Sequence, residues 1–339
     1  MKNILYIGNK LKNHGGTISS MESLEKKLSS FTNITLASDK KNKVLRVIDM
    51  ARSVFSNRDK LDLVFIDTFT YNAFYFAFII GVLCTILKIK YIPIIRGGNI
   101  KFRLNKNPRL SYIYFNNSFL NIVPSIYHYN TFKKFRYQTQ YLPNSISIKN
   151  YKFKERSILS PNLLWVRSFH EIYNPQMAIE VLRVLRDDYK EIELCMVGPD
   201  KDGSLQKCKD LSLQYGLEEN IVFTGILDKL AWANLSVKYD IFINTTNMDN
   251  LPISVIEAMA LGFPLVSTNA GGLNHLHKDG YDALLGDKND VHKMASNVKD
   301  ILKDSKLAKH LSNNARVKAE KFDWDKHIQP QWFDLIMSN

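Results

Sequence analysis

Asp249 and Glu257 stand with seven residues and a proline between them in NTTNMDNLPISVIEAMALGFPLVSTNAGG, residues 244–272. The second acid lies inside the otherwise apolar run PISVIEAMAL. Pro252 suits the first position of a helix, where its missing N–H would be unpaired anyway. From there Ile253, Ile256 and Ala260 share one face at helical spacing, with Glu257 at its edge. A carboxylate about six residues in is past the first turn, where the helix dipole favours acids. Burying it requires a partner or a ligand to offset its desolvation. On this helix alone two readings stand: a partly exposed Glu at the margin of a core helix, and a ligand-binding carboxylate. Asp249, just before the helix start, is also explained by ordinary N-terminal chemistry.

Other residues carry anion chemistry. Arg167 ends the apolar run LLWV, where a guanidinium fork calls for an anion. In GNKLKNHGGTISS, Gly15 and Gly16 permit close backbone approach to a phosphate and Thr17 opens a helix; a plain turn is the competing reading. The runs VGPDKDG and TNAGG, with Gly271 and Gly272, end two further strands. Asp200-Lys201-Asp202 has a D-x-D form but reads as a turn at a strand end. His275 and His277 read as loop residues, and no comparable metal-ligand spacing occurs.

The elements that must hold these residues alternate. NILYI, NITLA, LDLVFI, YIPII, LNIV and QYLPN read as strands. Helical spacing marks Ile18 to Phe31, Val44 to Phe55 and the apolar stretch 73–87. Residues 145–162, charged and aperiodic, read as a linker. The alternation then resumes with strands LLWV, IELCMV, NIVF, DIFIN and PLVS. Helices are expected near 177–185, 204–215, 227–236, 252–261 and 290–303. Repeated apolar strands between helices imply parallel sheets covered on both faces. The expectation is α/β: two doubly wound, Rossmann-like domains facing each other across a cleft. The domains are 1–157 and 158–322, with the amphipathic segment 323–339 packing back on the first.

The 339 residues carry an uneven charge. Residues 1–156 have a net charge of +18 and residues 157–339 a net charge of −5. From Thr68 to Lys154 there are 13 Lys/Arg and no acid. Such a face attracts nucleic acid, an anionic membrane or a polyanionic substrate. The three cysteines, Cys84, Cys195 and Cys208, are scattered, which argues against a disulfide framework or zinc site. MKNILYIGNK reads as a strand and not a signal peptide. The stretch 73–87 is short for a membrane span. A cytoplasmic protein is expected.

DNLPISVIEAMALGFPLVSTNAGG resembles the E-x7-E segment of glycosyltransferase family 4, "E-G-x-G/P-x-x-x-x-E-A-M-A-x-G-x-P-V-V-x-x-x-x-G-G". Arg167 matches the arginine at the family's "G-R" strand end, and VGPDKDGS its next glycine region. FTGIL (223–227, with Gly225) is similar to its nucleobase turn, LPNSI to its "I-P-N-G-I-D", and HGGT to its N-terminal glycine loop. The resemblance implies a GT-B fold and a retaining glycosyltransferase using a nucleoside-diphosphate sugar, with no metal or other cofactor. It implies that Glu257 binds ribose hydroxyls, since a carboxylate offers two acceptors to a vicinal diol. Asp249 would face the donor sugar. Arg167 and the N–H groups at the start of the 252 helix would hold the diphosphate, with Asn250, Leu251, Pro252 and Ile253 as donor-binding residues. The Gly15–Gly16–Thr17 loop would close over the donor.

The sequence also departs from this pattern. The first acid is Asp, and Asn250 replaces a common Gly. The lysine about five residues past the strand arginine is missing, with Tyr173 or Asn174 in its place. YIPII is followed by Arg96, Gly97 and Gly98 where the family often has histidine. Arg96 or Lys201 would supply the absent charge. The basic half, including Lys101, Arg103, Lys106 and Arg109, would take a saccharide or lipid-linked acceptor, as in cell-surface polysaccharide synthesis, at the inner face of an anionic membrane. Two other readings are a nucleotide-sugar epimerase of the same architecture and a non-enzymatic nucleic-acid-binding protein. Altered nucleotide sugar among the products marks the first. Salt-dependent DNA affinity without nucleotide-sugar binding marks the second, for which no recognised motif is present.

Overall fold

The computed structural model describes residues 1–10 and 19–338. It consists of two compact units, Met1–Pro143 with Asp325–Asn339, and Asn144–Trp324. The first unit holds strands β1 (Lys2–Ile7), β2 (Thr32–Ala37), β3 (Leu63–Thr68), β4 (Tyr91–Ile95), β5 (Asn121–Val123) and β6 (Thr139–Tyr141). They form one parallel sheet in the order β2-β1-β3-β4-β5-β6. The second holds β7 (Asn162–Val166), β8 (Glu193–Val197), β9 (Ile221–Gly225), β10 (Ile241–Asn244), β11 (Leu265–Thr268) and β12 (Leu284–Gly286). These too are all parallel, in the order β12-β11-β10-β7-β8-β9.

Period-2 alternation sends neighbouring strand residues into different cores. On β7, Leu163 and Trp165 join Ile241, Ile243 and Val266 in one cluster. Leu164, between them, joins Phe242 and Leu265 in the other. Both faces are therefore covered, as a parallel sheet requires. In the first unit β3 and β4 are buried throughout. The helix Phe74–Ile86 turns Phe74, Ala77, Ile80, Gly81 and Cys84 inward. Among the described residues no helix is long and apolar enough to cross a membrane.

Several expectations are corrected. Residues 145–162 are not a free linker: from Asn144 onward the chain belongs to the second unit. Tyr151 and Arg156 are buried there. The Arg156 guanidinium lies 3.6 Å over the Phe263 ring and donates to the carbonyls of Tyr239 and Leu261. Helices Ile100–Lys106, Pro108–Asn116, Ile126–Lys134 and Ser305–Glu320 occupy stretches the periodicity left unassigned. Residues Asp325–Asn339 group with the first unit, where Trp332 packs on Phe65 and Phe333 on Phe31.

Arg103 does not belong to an exposed basic face. It is 3% exposed and donates to the carbonyls of Thr70 and Tyr71 at 2.7 and 2.9 Å. It also donates to Asn107 Oδ1 at 2.5 Å and lies over the rings of Phe74 and Tyr75. Lys101, Lys106 and Arg109 remain exposed. Arg103→Ala strands the buried Thr70 carbonyl and the partly buried Tyr71 carbonyl and is expected to destabilise the protein by about 2–3 kcal/mol. Thermal melting of the variant checks this, and an unchanged midpoint would return Arg103 to the surface.

Candidate active site

The second sheet starts in β7, runs outward through β8 and β9, and returns to β10 on the other side of β7. The crevice at the carboxyl ends of β7 and β10 is thus the switch point, where open α/β sheets bind ligands. Arg167 directly follows β7, and Asp249 lies five residues past the end of β10. The two meet there: Arg167 Nη2 donates to Asp249 Oδ2. Asp249 Oδ1 accepts from the Asn250 N–H at 2.7 Å. The guanidinium stacks 4.2 Å over the ring of Tyr173. Burial works against the Arg167 charge, and Asp249 and Tyr173 together outweigh it, so the pKa rises above its ordinary value. Arg167 Nε is buried and has no hydrogen-bond partner among the described residues.

Two glycine-bearing loops press on this corner. A Cβ on Gly198, whose φ is +149°, would sit 1.9 Å from the Arg167 carbonyl oxygen. A Cβ on Gly272 would sit 1.7 Å from the Asn250 carbonyl oxygen, and the Gly272 N–H donates to Asp249 O at 2.9 Å. The close approach that Gly271 and Gly272 permit is therefore to the chain's own 249–250 backbone.

The helix after β10 is Ile253–Ala260, with Pro252 as its N-cap at ψ 121° and not as its first helical residue. The extended ψ puts Pro252 outside the helix by one position. Asn250, Leu251 and Pro252 are buried. Asn144 Nδ2 donates to Leu251 O at 2.9 Å, and Asn250 Oδ1 is buried without a partner among the described residues.

Glu257 is 3% exposed, which removes the reading of a solvated Glu at the core margin. Its Oε1 accepts from the Tyr151 hydroxyl at 2.6 Å and lies 2.9 Å from Lys229 Nζ. Burial, and then the adjacent carboxylate, push the Tyr151 pKa up, so the phenol stays a donor. Glu257 Oε2 has no partner among the described residues. The sequence reading missed both partners. Tyr151 lay in the supposed linker. For Lys229 one signal existed: Asp228 N-caps the Lys229–Leu235 helix, and a cation at the first helical position opposes the helix dipole.

The remaining expectations fall elsewhere. Gly225 ends β9 at φ +70° with open space beside its Cα. Lys201 is exposed in a turn, where Asp200 Oδ1 accepts the N–H groups of Asp202 and Gly203. Asp202 accepts from Ser204 and Glu171, so D-x-D is a turn and cap. His277 pairs with Asp282 at 3.0 Å in the second unit. Among the described residues no acid, histidine and cysteine cluster could hold a metal. Arg96 belongs to the first unit, where it donates to Asp67 Oδ1 at 2.9 Å and to the Tyr6 hydroxyl at 2.8 Å. Gly15, Gly16 and Thr17 lie outside the described residues.

The segment that carries this site matches a known family. Residues 148–318, just over half of the chain, match the model of the glycosyl transferases group 1. The chain belongs to that family. This group 1 member is 25% identical over 174 residues to a D-inositol 3-phosphate glycosyltransferase of Paenarthrobacter aurescens. The alignment covers 49% of this chain and 41% of the relative, so it spans less than half of that protein. Among solved structures, sucrose-phosphate synthase from Thermosynechococcus elongatus superimposes with a TM-score of 0.81 at 15% identity. That match covers 100% of this chain and 99% of the synthase. Anabaena HepE in complex with UDP-glucose gives 0.79 at 15% identity, covering 100% of both chains. At such identities the likeness is one of fold, and the fold of this group 1 chain is GT-B.

Proposed function

We propose that the protein is a retaining glycosyltransferase that takes its sugar from a nucleoside-diphosphate sugar. The observation that carries this is Glu257, a buried carboxylate with one oxygen held by the protein and the other without a partner among the described residues. It stands one turn inside a helix at the sheet's switch point, in a group 1 family chain. HepE, of the same fold, binds UDP-glucose, which supports a donor of that class here.

In this reading Glu257 Oε2 accepts from the ribose diol. The start of the Ile253–Ala260 helix and Arg167 face the diphosphate, an arrangement suited to anions. Asp249 orients Arg167 and keeps further lone pairs for a sugar hydroxyl. The bond between the anomeric carbon and the diphosphate oxygen breaks as the acceptor oxygen bonds that carbon on the same face. The acceptor proton passes to the departing phosphate. The protein positions the reactants and stabilises the charge that develops on the diphosphate. No metal is part of this reading.

Thermal shift against a panel of nucleotide sugars tests it, because a ligand of the folded state raises the melting temperature by mass action. Free nucleoside diphosphate among the products means transfer or hydrolysis, whereas an altered nucleotide sugar would establish the epimerase instead. No shift with any donor would overturn the reading.

For the acceptor, the reading is a saccharide or lipid-linked molecule at an anionic membrane face. Its support is the exposed set Lys101, Lys106 and Arg109 beside exposed Phe102, Tyr112 and Ile113. Each cation contributes roughly 1 kcal/mol near a charged surface, weakening with salt. Neutralising all three is expected to lower binding to anionic vesicles by on the order of a hundredfold at low salt. Equal binding to neutral and anionic vesicles, or none, would leave these charges to a soluble anionic acceptor.

A further inference from the structure

Lys229 is an unusual partner for a buried acid. Its side chain is 60% exposed, yet its ammonium lies 2.9 Å from Glu257 Oε1, whose side chain is 4% exposed. Charge arithmetic makes the contact matter. At the switch point Arg167 is matched by Asp249, and Glu257 adds a second negative charge. Without Lys229 these four positions would sum to −1 and repel a diphosphate. With it they are neutral, and the helix start adds its partial positive charge.

Position points the same way. Glu257 is four residues past Ile253, about 6 Å along the axis. Side chains lean toward a helix's N-terminus, so the carboxylate that the ammonium contacts is directed toward the free N–H groups at the helix start. A lysine ammonium on a flexible stem can leave one oxygen and take another, unlike the stacked Arg167. Its helix position gives no competing explanation, because a cation there opposes the dipole.

We propose that Lys229 is the mobile cation of the donor site. In this structure it neutralises Glu257 Oε1. When a nucleoside diphosphate binds, the ribose diol takes over hydrogen bonding to the carboxylate and the ammonium turns to the diphosphate. Lys229 then discriminates diphosphates from bare nucleosides. The inference rests on the nucleotide-sugar reading above.

Equilibrium binding of UDP, GDP and ADP, and of the matching nucleosides, tests it on the full chain. Lys229→Met is expected to lose about tenfold or more in affinity for the preferred diphosphate, as befits a charge-assisted contact. Its affinity for the nucleoside should stay within about twofold of wild type on the same argument. Lys229→Arg should restore most of the diphosphate affinity. Unchanged diphosphate binding by Lys229→Met would overturn the inference and leave the donor reading standing. So would equal losses for diphosphate and nucleoside, since Lys229 would then only hold Glu257 in place. If Lys229→Met does not fold, Lys229→Gln carries the same comparison. A wild-type chain that binds none of the diphosphates would sink the donor reading itself, and this inference with it.

Discussion

Arg167→Ala is expected to lower turnover by on the order of a hundredfold or more, the usual cost of removing one group that stabilises charge developing in a transition state. The loss should fall on kcat, because the charge on the departing diphosphate is largest as its bond to the sugar breaks. Stability should change less. The Arg167–Asp249 pair is partly exposed, with side chains 21% and 11% accessible, and Asp249 keeps its bond from the Asn250 N–H. Lost stability is therefore of order 1–3 kcal/mol, below the cost of breaking a fully buried pair. Initial rates and thermal melts on the same preparation separate the two effects. Normal specific activity in a chain that melts early would show Arg167 to be only the structural partner of Asp249.

Glu257→Gln is expected to raise the dissociation constant of the donor by roughly ten- to a hundredfold, the value of one charge-assisted hydrogen bond. The amide oxygen can still accept from Tyr151, so the helix stays in place. The amide nitrogen then occupies the position of Oε2 and meets a ribose hydroxyl as a donor instead of an acceptor. This loss should appear with nucleoside and nucleoside diphosphate alike, in contrast to the Lys229 variants. Isothermal titration with both ligands is the measurement. A donor affinity equal to wild type would remove Glu257 from the site.

The strands were readable in the sequence for a physical reason. Strands of a parallel sheet are buried on both faces, so LDLVFI, YIPII and IELCMV appear as unbroken apolar runs. Glu257 was readable because a charge inside PISVIEAMAL contradicts its surroundings. What was hidden depends on pairing across the fold. Tyr151 meets Glu257 over 106 residues, from a stretch whose charges looked like those of a linker. Arg103 looked like its exposed neighbours because two of its partners are the backbone carbonyls of Thr70 and Tyr71, about 30 residues away and announced by no side-chain pattern. The helices Ile100–Lys106 and Pro108–Asn116 are too short to establish a period.

The second unit begins and ends at one place. Ile146 pairs with Asp323, its N–H donates to Phe322 O at 3.0 Å, and its carbonyl accepts from the Trp324 N–H at 2.8 Å. Asn144–Trp324 is thus a closed insert in a host chain that resumes at Asp325. During synthesis the host must wait for the insert to be made before Trp332 can reach Phe65. The bonds that tie Ile146 to Phe322 and Trp324 all lie within the insert. Its cut points are already adjacent, which makes residues 144–324 a cassette that evolution, or an engineer, can exchange as a piece.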